Sequence, residues 1–295
     1  MSRVLRETSR LLQRAGCETP ELDAELLLAH TLGWDRAQLC AHPEQVLTSL
    51  EWESFSARAA RRQAREPLAY ILGHREFFGL DFFVDRRVLV PRPETELLAE
   101  QVLAWHKDRV TPQPGDESPD GVARPHPALT LADVGTGSGC VAISLAVHLP
   151  EISVFALDWS AEALQVAAGN VDRHGVTGRV QLLHGDLLDS LPRKVDGIVA
   201  NLPYVRSDAL PALAPEVRDY EPRVALDGGP DGLDAIRQLL AQAPLHVNPG
   251  GFVLLEIGWD QGPQAMALAS RRFPQAHLAV LPDYAGLDRV LRITS

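Results

Sequence analysis

The sequence predicts an α/β protein, with a mostly parallel sheet covered by helices on both faces and a small helical bundle ahead of it. Three observations carry this expectation. From about residue 128, short apolar strand-like runs alternate with amphipathic helical patterns, as in parallel sheets with helical crossovers. Residues 1 to about 70 carry helical patterns and hardly any strand signal. Gly135, Gly137 and Gly139 come directly after the first apolar strand, where open α/β sheets gather their ligands.

At the N-terminus, "MSRVLRETSRLLQRAG" alternates Arg with Leu and lacks the apolar block of a secretory signal. It reads as an amphipathic helix of a cytoplasmic protein. In "TPELDAELLLAHTLG", Thr19 is the expected N-cap, Pro20 the first helical residue and Gly33 the stop. A longer helix, "LTSLEWESFSARAARRQARE", takes Thr48 or Ser49 as its cap. Its arginines Arg58, Arg61, Arg62 and Arg65 read as a solvated helix face, with contact to an acidic partner, protein or RNA, as the alternative.

The texture then changes. "LAYILGHREFFGLDFFVDRRVLVPRPETE" sets aromatic and β-branched residues around Gly73 and Gly79, so a hairpin linker is expected over 73–92. Glu94 or Thr95 opens another helix. From His106 to Pro127, prolines, glycines and acidic residues offer no apolar period, and a mobile surface loop is expected. Four strands follow at "ALTLADVG", "SVFALD", "RVQLLHGD" and "VDGIVANLP", then "GGFVLLEIG" and a closing hairpin of "AHLAVLPD" with "DRVLRITS".

Composition narrows the function classes. Net charge is −11, the wrong sign for a protein whose main task is to grip a phosphate backbone. No apolar run approaches the roughly 18 residues that span a bilayer. Cys17, Cys40 and Cys140 match no metal-ligand spacing, and the histidines form no HExxH-like pattern. Free thiols in a reducing compartment, and no metal, are expected.

The glycine loop reads Gly135, Thr136, Gly137, Ser138, Gly139, followed by Cys140. That is GxGxG rather than the GxGxxG of dinucleotide sites, and it suits an adenosyl ligand with no pyrophosphate, such as S-adenosyl-L-methionine. The next strand ends in Asp158, roughly 20 residues on, where a carboxylate can accept from two ribose hydroxyls. Asp186, one strand later, can accept from the adenine amino group. At the end of the fourth strand stand Asn201, Leu202, Pro203 and Tyr204. The Asn201 side-chain oxygen and the Leu202 carbonyl can accept from the two N–H groups of a poor nitrogen nucleophile. Pro203 holds the residue before it extended, and Tyr204 offers a flat wall.

"DVGTGSG", the Asp158 strand end and "NLPYV" resemble class I methyltransferases with an (N/D)PP(Y/F) motif. "ILGHREFFGLDFFVDRRVLVPRPETELL", "EPRVALDGGPDGL" and "GGFVLLEIGWDQG" are similar to segments of the HemK/PrmC family. The resemblance implies a Rossmann-like class I methyltransferase domain with a mostly parallel seven-stranded sheet over 93–295 and a helical substrate-recognition domain over 1–72. It implies methyl transfer from S-adenosyl-L-methionine, leaving S-adenosyl-L-homocysteine, to the amide nitrogen of the glutamine in the GGQ motif of peptide chain release factors. By position, Gly135 to Gly139, Asp158, Asp186, Leu187 and Asn201 would hold the cofactor. Asn201 to Tyr204 would hold the glutamine, and Arg92, Pro93 and Glu94 resemble the loop lining the mouth. Two letters depart from the pattern: Leu202 replaces a proline, and Leu187 stands where some relatives carry an aromatic against the adenine. The expected enzyme is a monomer that binds no nucleic acid stably and no membrane. Alternatives are glutamine methylation of a ribosomal protein, adenine amino methylation of DNA or RNA, and adenosyl binding without catalysis.

Overall fold

A computed structural model describes residues 1–110 and 129–294. The chain divides into one unit of Met1–His74 with Ala212–Glu221, and another of Arg75–Pro211 with Pro222–Ser295.

The first unit is helical: α1 (Ser2–Arg14), α2 (Pro20–Leu32), α3 (Arg36–Ala41), α4 (Ser49–Gln63) and α5 (Leu68–Leu72), with the short helix Pro215–Tyr220. Leu27, Leu28, Phe55 and Ile71 form its core. Pro20 starts α2, and Gly33 ends it in the left-handed conformation, as expected. Thr19 is the N-cap residue, as expected, but its side chain makes no capping hydrogen bond. Its hydroxyl donates to Asp23 Oδ1 at 2.9 Å, because Asp23 is buried and needs donors. Thr48 does cap α4, through a reciprocal capping box with Glu51.

The arginines of α4 are not a uniformly solvated face. Arg62 is only 6% exposed and pairs with Asp23 at 2.7 Å and Glu216 at 2.9 Å. Arg65 holds the other Glu216 oxygen at 2.5 Å. The partners lie 39 and 154 residues from Arg62, so no local pattern announces them. Removing one member of such a buried cluster strands the remaining charge.

The second unit begins with the hairpin strands β1 (His74–Phe77) and β2 (Leu80–Phe83), then α6 (Glu96–Val110) after a 3-10 turn at Pro93–Thr95. Helix α6 takes in His106 to Val110, the first residues of the expected loop; the rest of that loop, 111–127, lies outside the described residues. There follow β3 (Thr130–Val134), α7 (Cys140–His148), β4 (Ser153–Asp158), α8 (Ala161–Arg173), β5 (Val180–His184) and β6 (Val195–Ala200). After α9, the Pro215–Tyr220 helix of the first unit, come α10 (Asp234–His246), β7 (Val247–Glu256), α11 (Gly262–Arg272), β8 (His277–Pro282) and β9 (Asp288–Thr294).

The seven strands take the order β5-β4-β3-β6-β7-β9-β8. Neighbours from β5 to β7 are parallel, and β9 runs antiparallel to both β7 and β8. This is the expected mostly parallel seven-stranded sheet. Alternate residues feed two cores. Leu131, Val154, Val199 and Phe252 pack with α6 and α7, whereas Ala132, Leu157, Ile198 and Leu255 pack with α10 and α11. Asn170 of α8, fully buried, ties the hairpin to the glycine loop. Its Oδ1 accepts from Phe83 N–H, and its Nδ2 donates to the carbonyls of Phe83 and Ser138. Among the described residues no helix is long and apolar enough to cross a membrane.

Gly197 in β6 shows how tightly this sheet is covered. A Cβ there would meet Cζ of Phe252 at 2.1 Å, and that ring is wedged edge-on against Trp105 at 4.6 Å between centroids. Gly197→Ala is therefore expected to destabilise the protein by about 1–3 kcal/mol through overpacking. Thermal denaturation checks this, and an unchanged midpoint would mean that the ring yields freely.

Candidate active site

Sheet register brings the site together. Val134 pairs with Leu157 on one side and Ala200 on the other, and Ala200 pairs with Leu255. One residue beyond this row, four strands release Gly135, Asp158, Asn201 and Glu256 at the same level. The strand order reverses between β3 and β6, leaving the crevice at a switch point that such sheets use for ligands.

The crevice is a cavity of about 280 Å³, near the lower end of the roughly 300–1,000 Å³ usual for ligand pockets. Its floor is the glycine loop. Gly135 and Gly137 have φ of +74° and +56°, which a side chain adopts only with strain. A Cβ on Gly135 would also press on Leu202 Cδ2 at 3.1 Å. The N–H groups of Gly135 and Thr136 both donate to Leu157 O, and Gly137 N–H donates to Asp158 Oδ2 at 2.8 Å. Asp158 Oδ1 accepts from Ser160 N–H at 2.9 Å. Burial raises the Asp158 pKa against these hydrogen bonds.

Asp133, the penultimate residue of β3, is buried beneath the loop. One of its oxygens, Oδ2, accepts from the Thr136 hydroxyl at 2.7 Å and from Ala142 N–H at 3.1 Å. Burial nevertheless pushes its carboxyl up to about 6, with Asp158 adding to the rise. Burial likewise pushes the Cys140 thiol up to about 12, so it stays protonated at neutral pH and is no nucleophile.

Across the cavity, Asn201 Nδ2 donates to Thr95 Oγ1 at 2.9 Å, and that hydroxyl donates to Glu256 Oε2 at 2.6 Å. The Tyr204 hydroxyl donates to Glu256 Oε1 at 3.2 Å. Thr95 and Glu256 are 3% and 1% exposed. Burial raises the pKa of Glu256 and of Tyr204. Among the described residues no donor reaches Asn201 Oδ1, and both Asn201 and Leu202 line the cavity.

Of the residues singled out in sequence, the cavity is lined by Gly135, Thr136, Gly137, Ser138, Asp158, Asp186, Leu187, Asn201, Leu202, Pro203 and Arg92. Gly139 lies behind the loop, where a Cβ would strike Ile143 at 2.8 Å. Pro93 and Glu94 form the 3-10 turn that delivers Thr95, outside the lining. Tyr204 is also outside it: its hydroxyl is drawn to Glu256, and its carbonyl accepts from Gln261. Asp133, Glu256 and the rim residues Trp159 and Val224 are not among the candidates the sequence offers, and Thr95 is expected only as the start of a helix. Asp133 stands within the quoted "LADVG", but nothing local marks its burial. The other contacts join distant segments.

The chain is similar to known proteins along nearly its whole length. Residues 3–73 match the PrmC N-terminal domain, and 124–214 match the methyltransferase small domain. The chain is 44% identical to release factor glutamine methyltransferase of Moorella thermoacetica, over 98% of this chain and 96% of that protein. It is 40% identical to the protein of the same name from Geobacter sulfurreducens, over 98% and 94%. A methyltransferase crystal structure from Pyrococcus furiosus, at 20% identity, covers 81% of this chain and 98% of its own with a TM-score of 0.50, a likeness of fold alone. Near-full-length identity at this level, over a site assembled from the ends of four parallel strands, places the chain in the release factor glutamine methyltransferase family.

Proposed function

We propose that this chain transfers a methyl group from S-adenosyl-L-methionine to the side-chain amide nitrogen of the glutamine in the GGQ motif of peptide chain release factors. The observation that carries the reading is the Asn201 amide. Its nitrogen is engaged by Thr95, which leaves Oδ1 as an acceptor beside the Leu202 carbonyl.

The residues present suit this cofactor. The glycine loop offers close backbone approach, and the buried Ser138 hydroxyl, which neighbours the Cys140 thiol, has no oxygen or nitrogen partner among the described residues, a group that a polar ligand would satisfy. Asp133, Asp158 and Asp186 stand in a lining that also holds Arg87 and Arg92, and these carboxylates offer partners for a sulfonium and an ammonium group. Leu187 and Trp159 add apolar surface for a flat base. Leu187 adopts φ of +48°, a strained conformation for a branched side chain that is found chiefly where surrounding structure imposes it. When bound, the cofactor supplies an electrophilic methyl: the S–C bond breaks as the N–C bond forms, and one amide proton is released to solvent.

The chain supplies positioning. Asn201 Oδ1 and the Leu202 carbonyl accept from the two N–H groups of the glutamine amide, orient it and offset the positive charge that develops on nitrogen. A glutamate carboxylate, having no N–H, would put two acceptors against its own oxygens and be rejected. The helical unit recognises the body of the protein substrate. Supporting this role are the exposed apolar side chains Val46, Leu50 and Trp52, clustered where α4 begins. The enzyme works in the cytoplasm as a monomer on a protein substrate, without stable nucleic-acid binding, a reading supported by its net charge of −11 and free cysteines.

Incubation with labelled S-adenosyl-L-methionine and, in parallel, release factor, ribosomal proteins and DNA should label only the release factor, at one glutamine located by mass spectrometry. Label in ribosomal protein or DNA instead would refute the assignment. Asn201→Ala should cut turnover at least about 100-fold, as loss of one preorganised hydrogen-bonding group does, while cofactor affinity measured by calorimetry stays nearly intact. Equal losses in both would remove Asn201 from the glutamine side. Asp158→Ala should weaken cofactor binding by about 1–3 kcal/mol, and unchanged affinity would place the ribose elsewhere.

A further inference from the structure

Asn201 can do its proposed work in only one of two orientations. An asparagine amide is nearly symmetric in shape, and rotation by 180° about its last bond exchanges an acceptor for a donor. With Nδ2 facing the cavity, the site would present N–H groups to the N–H groups of the substrate. Something must therefore fix the rotation, and the motif itself holds no such group.

We infer that Thr95 and Glu256 are positioning residues that lock the Asn201 amide with its oxygen toward the substrate. This lock rests on the glutamine reading above and follows from hydrogen-bond polarity. An ionised carboxylate only accepts. Glu256, buried at the end of β7, accepts hydrogen bonds from both the Thr95 and the Tyr204 hydroxyl. With its single proton so committed, Thr95 Oγ1 has only lone pairs left for Asn201. It can receive Nδ2–H but cannot donate to Oδ1, so the flipped amide would set two acceptors face to face. The direction runs one way, from Asn201 to Thr95 to Glu256. Tyr204 thus belongs to the same relay through its hydroxyl.

Protonation of Glu256 would end its action as a pure acceptor. A neutral carboxyl must donate from one oxygen, and either Thr95 or Tyr204 would then lose its acceptor. Several ionisable groups act on this carboxyl. Glu94 raises its pKa, whereas the Arg289 guanidinium, itself paired with Asp283 at 3.1 Å, lowers it with the Thr95 and Tyr204 hydroxyls. Arg92 acts on Tyr204 and Cys140 senses Glu256. Burial outweighs the lowering influences, so the Glu256 pKa lies above the ordinary carboxylate range. The one-way direction is fixed above that pKa and weakens as pH falls through it.

The test is steady-state methylation of intact release factor by full-length variants, with cofactor affinity measured alongside. Thr95→Val keeps the shape and removes the hydroxyl. It is expected to lower kcat about 5- to 50-fold, the effect of losing one or two hydrogen bonds, with KM for release factor changed less than about twofold. Cofactor affinity should hold, which also shows that the variant folds. Thr95→Ser restores the hydroxyl and should recover most of the loss. In an Asn201→Ala background, Thr95→Val should cost nothing further, since the amide it orients is gone. Glu256→Gln should be slower than the parent and should lose the acid limb of its kcat profile. Wild-type kcat in Thr95→Val, failure of Thr95→Ser to rescue, a parallel loss of cofactor affinity, full additivity with Asn201→Ala or an acid limb retained by Glu256→Gln would each overturn the inference. Failure of the parent enzyme to methylate the release-factor glutamine would instead strike the proposed function itself.

Discussion

A single row of backbone pairing holds the site in place. Val134, Leu157, Ala200 and Leu255 lie side by side across four parallel strands; the next residues of the first three, Gly135, Asp158 and Asn201, line the crevice, and that of the fourth, Glu256, holds Thr95. Side chains alternate across a sheet with a period of two, so a shift by one residue would send every one of these groups to the opposite face. The cores on the two faces prevent that slip. Leu131 and Val199 are buried against one helical layer, and Ala132 and Ile198 against the other. Packing far below the cavity thereby sets distances within it.

Charge is the second constraint. Asp133, Asp158 and Glu256 are all carried by strand ends, and burial raises the pKa of each. Each is stabilised by donors that are structural parts of the site. Asp133 holds Thr136 and the start of α7, Asp158 holds Gly137, and Glu256 holds Thr95 and Tyr204. The buried carboxylates thus act as fasteners for the loops around the cavity.

Much of this was legible in the sequence because it is local. The glycine loop, Asp158 and Asn201 each sit within a few residues of a strand whose apolar run announces it, and alternating elements imply the sheet. The capping box at Thr48 and the left-handed stop at Gly33 are equally local. What could not be read depends on chain closure. Thr95 meets Asn201 across 106 residues and Glu256 across 161, and Arg62 finds Glu216 across 154. Tyr204 read as a wall because its ring is visible in the sequence, while the carboxylate that claims its hydroxyl lies on another strand. The Leu202 departure is mild in the structure: its side chain packs over Gly135, a contact that needs an apolar group and not specifically a ring.

The account turns on two acceptors, Asn201 Oδ1 and the Leu202 carbonyl, facing one amide nitrogen. The most direct measurement is a crystal structure of the enzyme with S-adenosyl-L-homocysteine and a peptide carrying the glutamine loop. The account predicts the glutamine amide nitrogen within about 3.2 Å of both oxygens, with Asn201 Nδ2 still on Thr95. A glutamine whose carbonyl faces Asn201, or whose side chain lies outside this cavity, would contradict it.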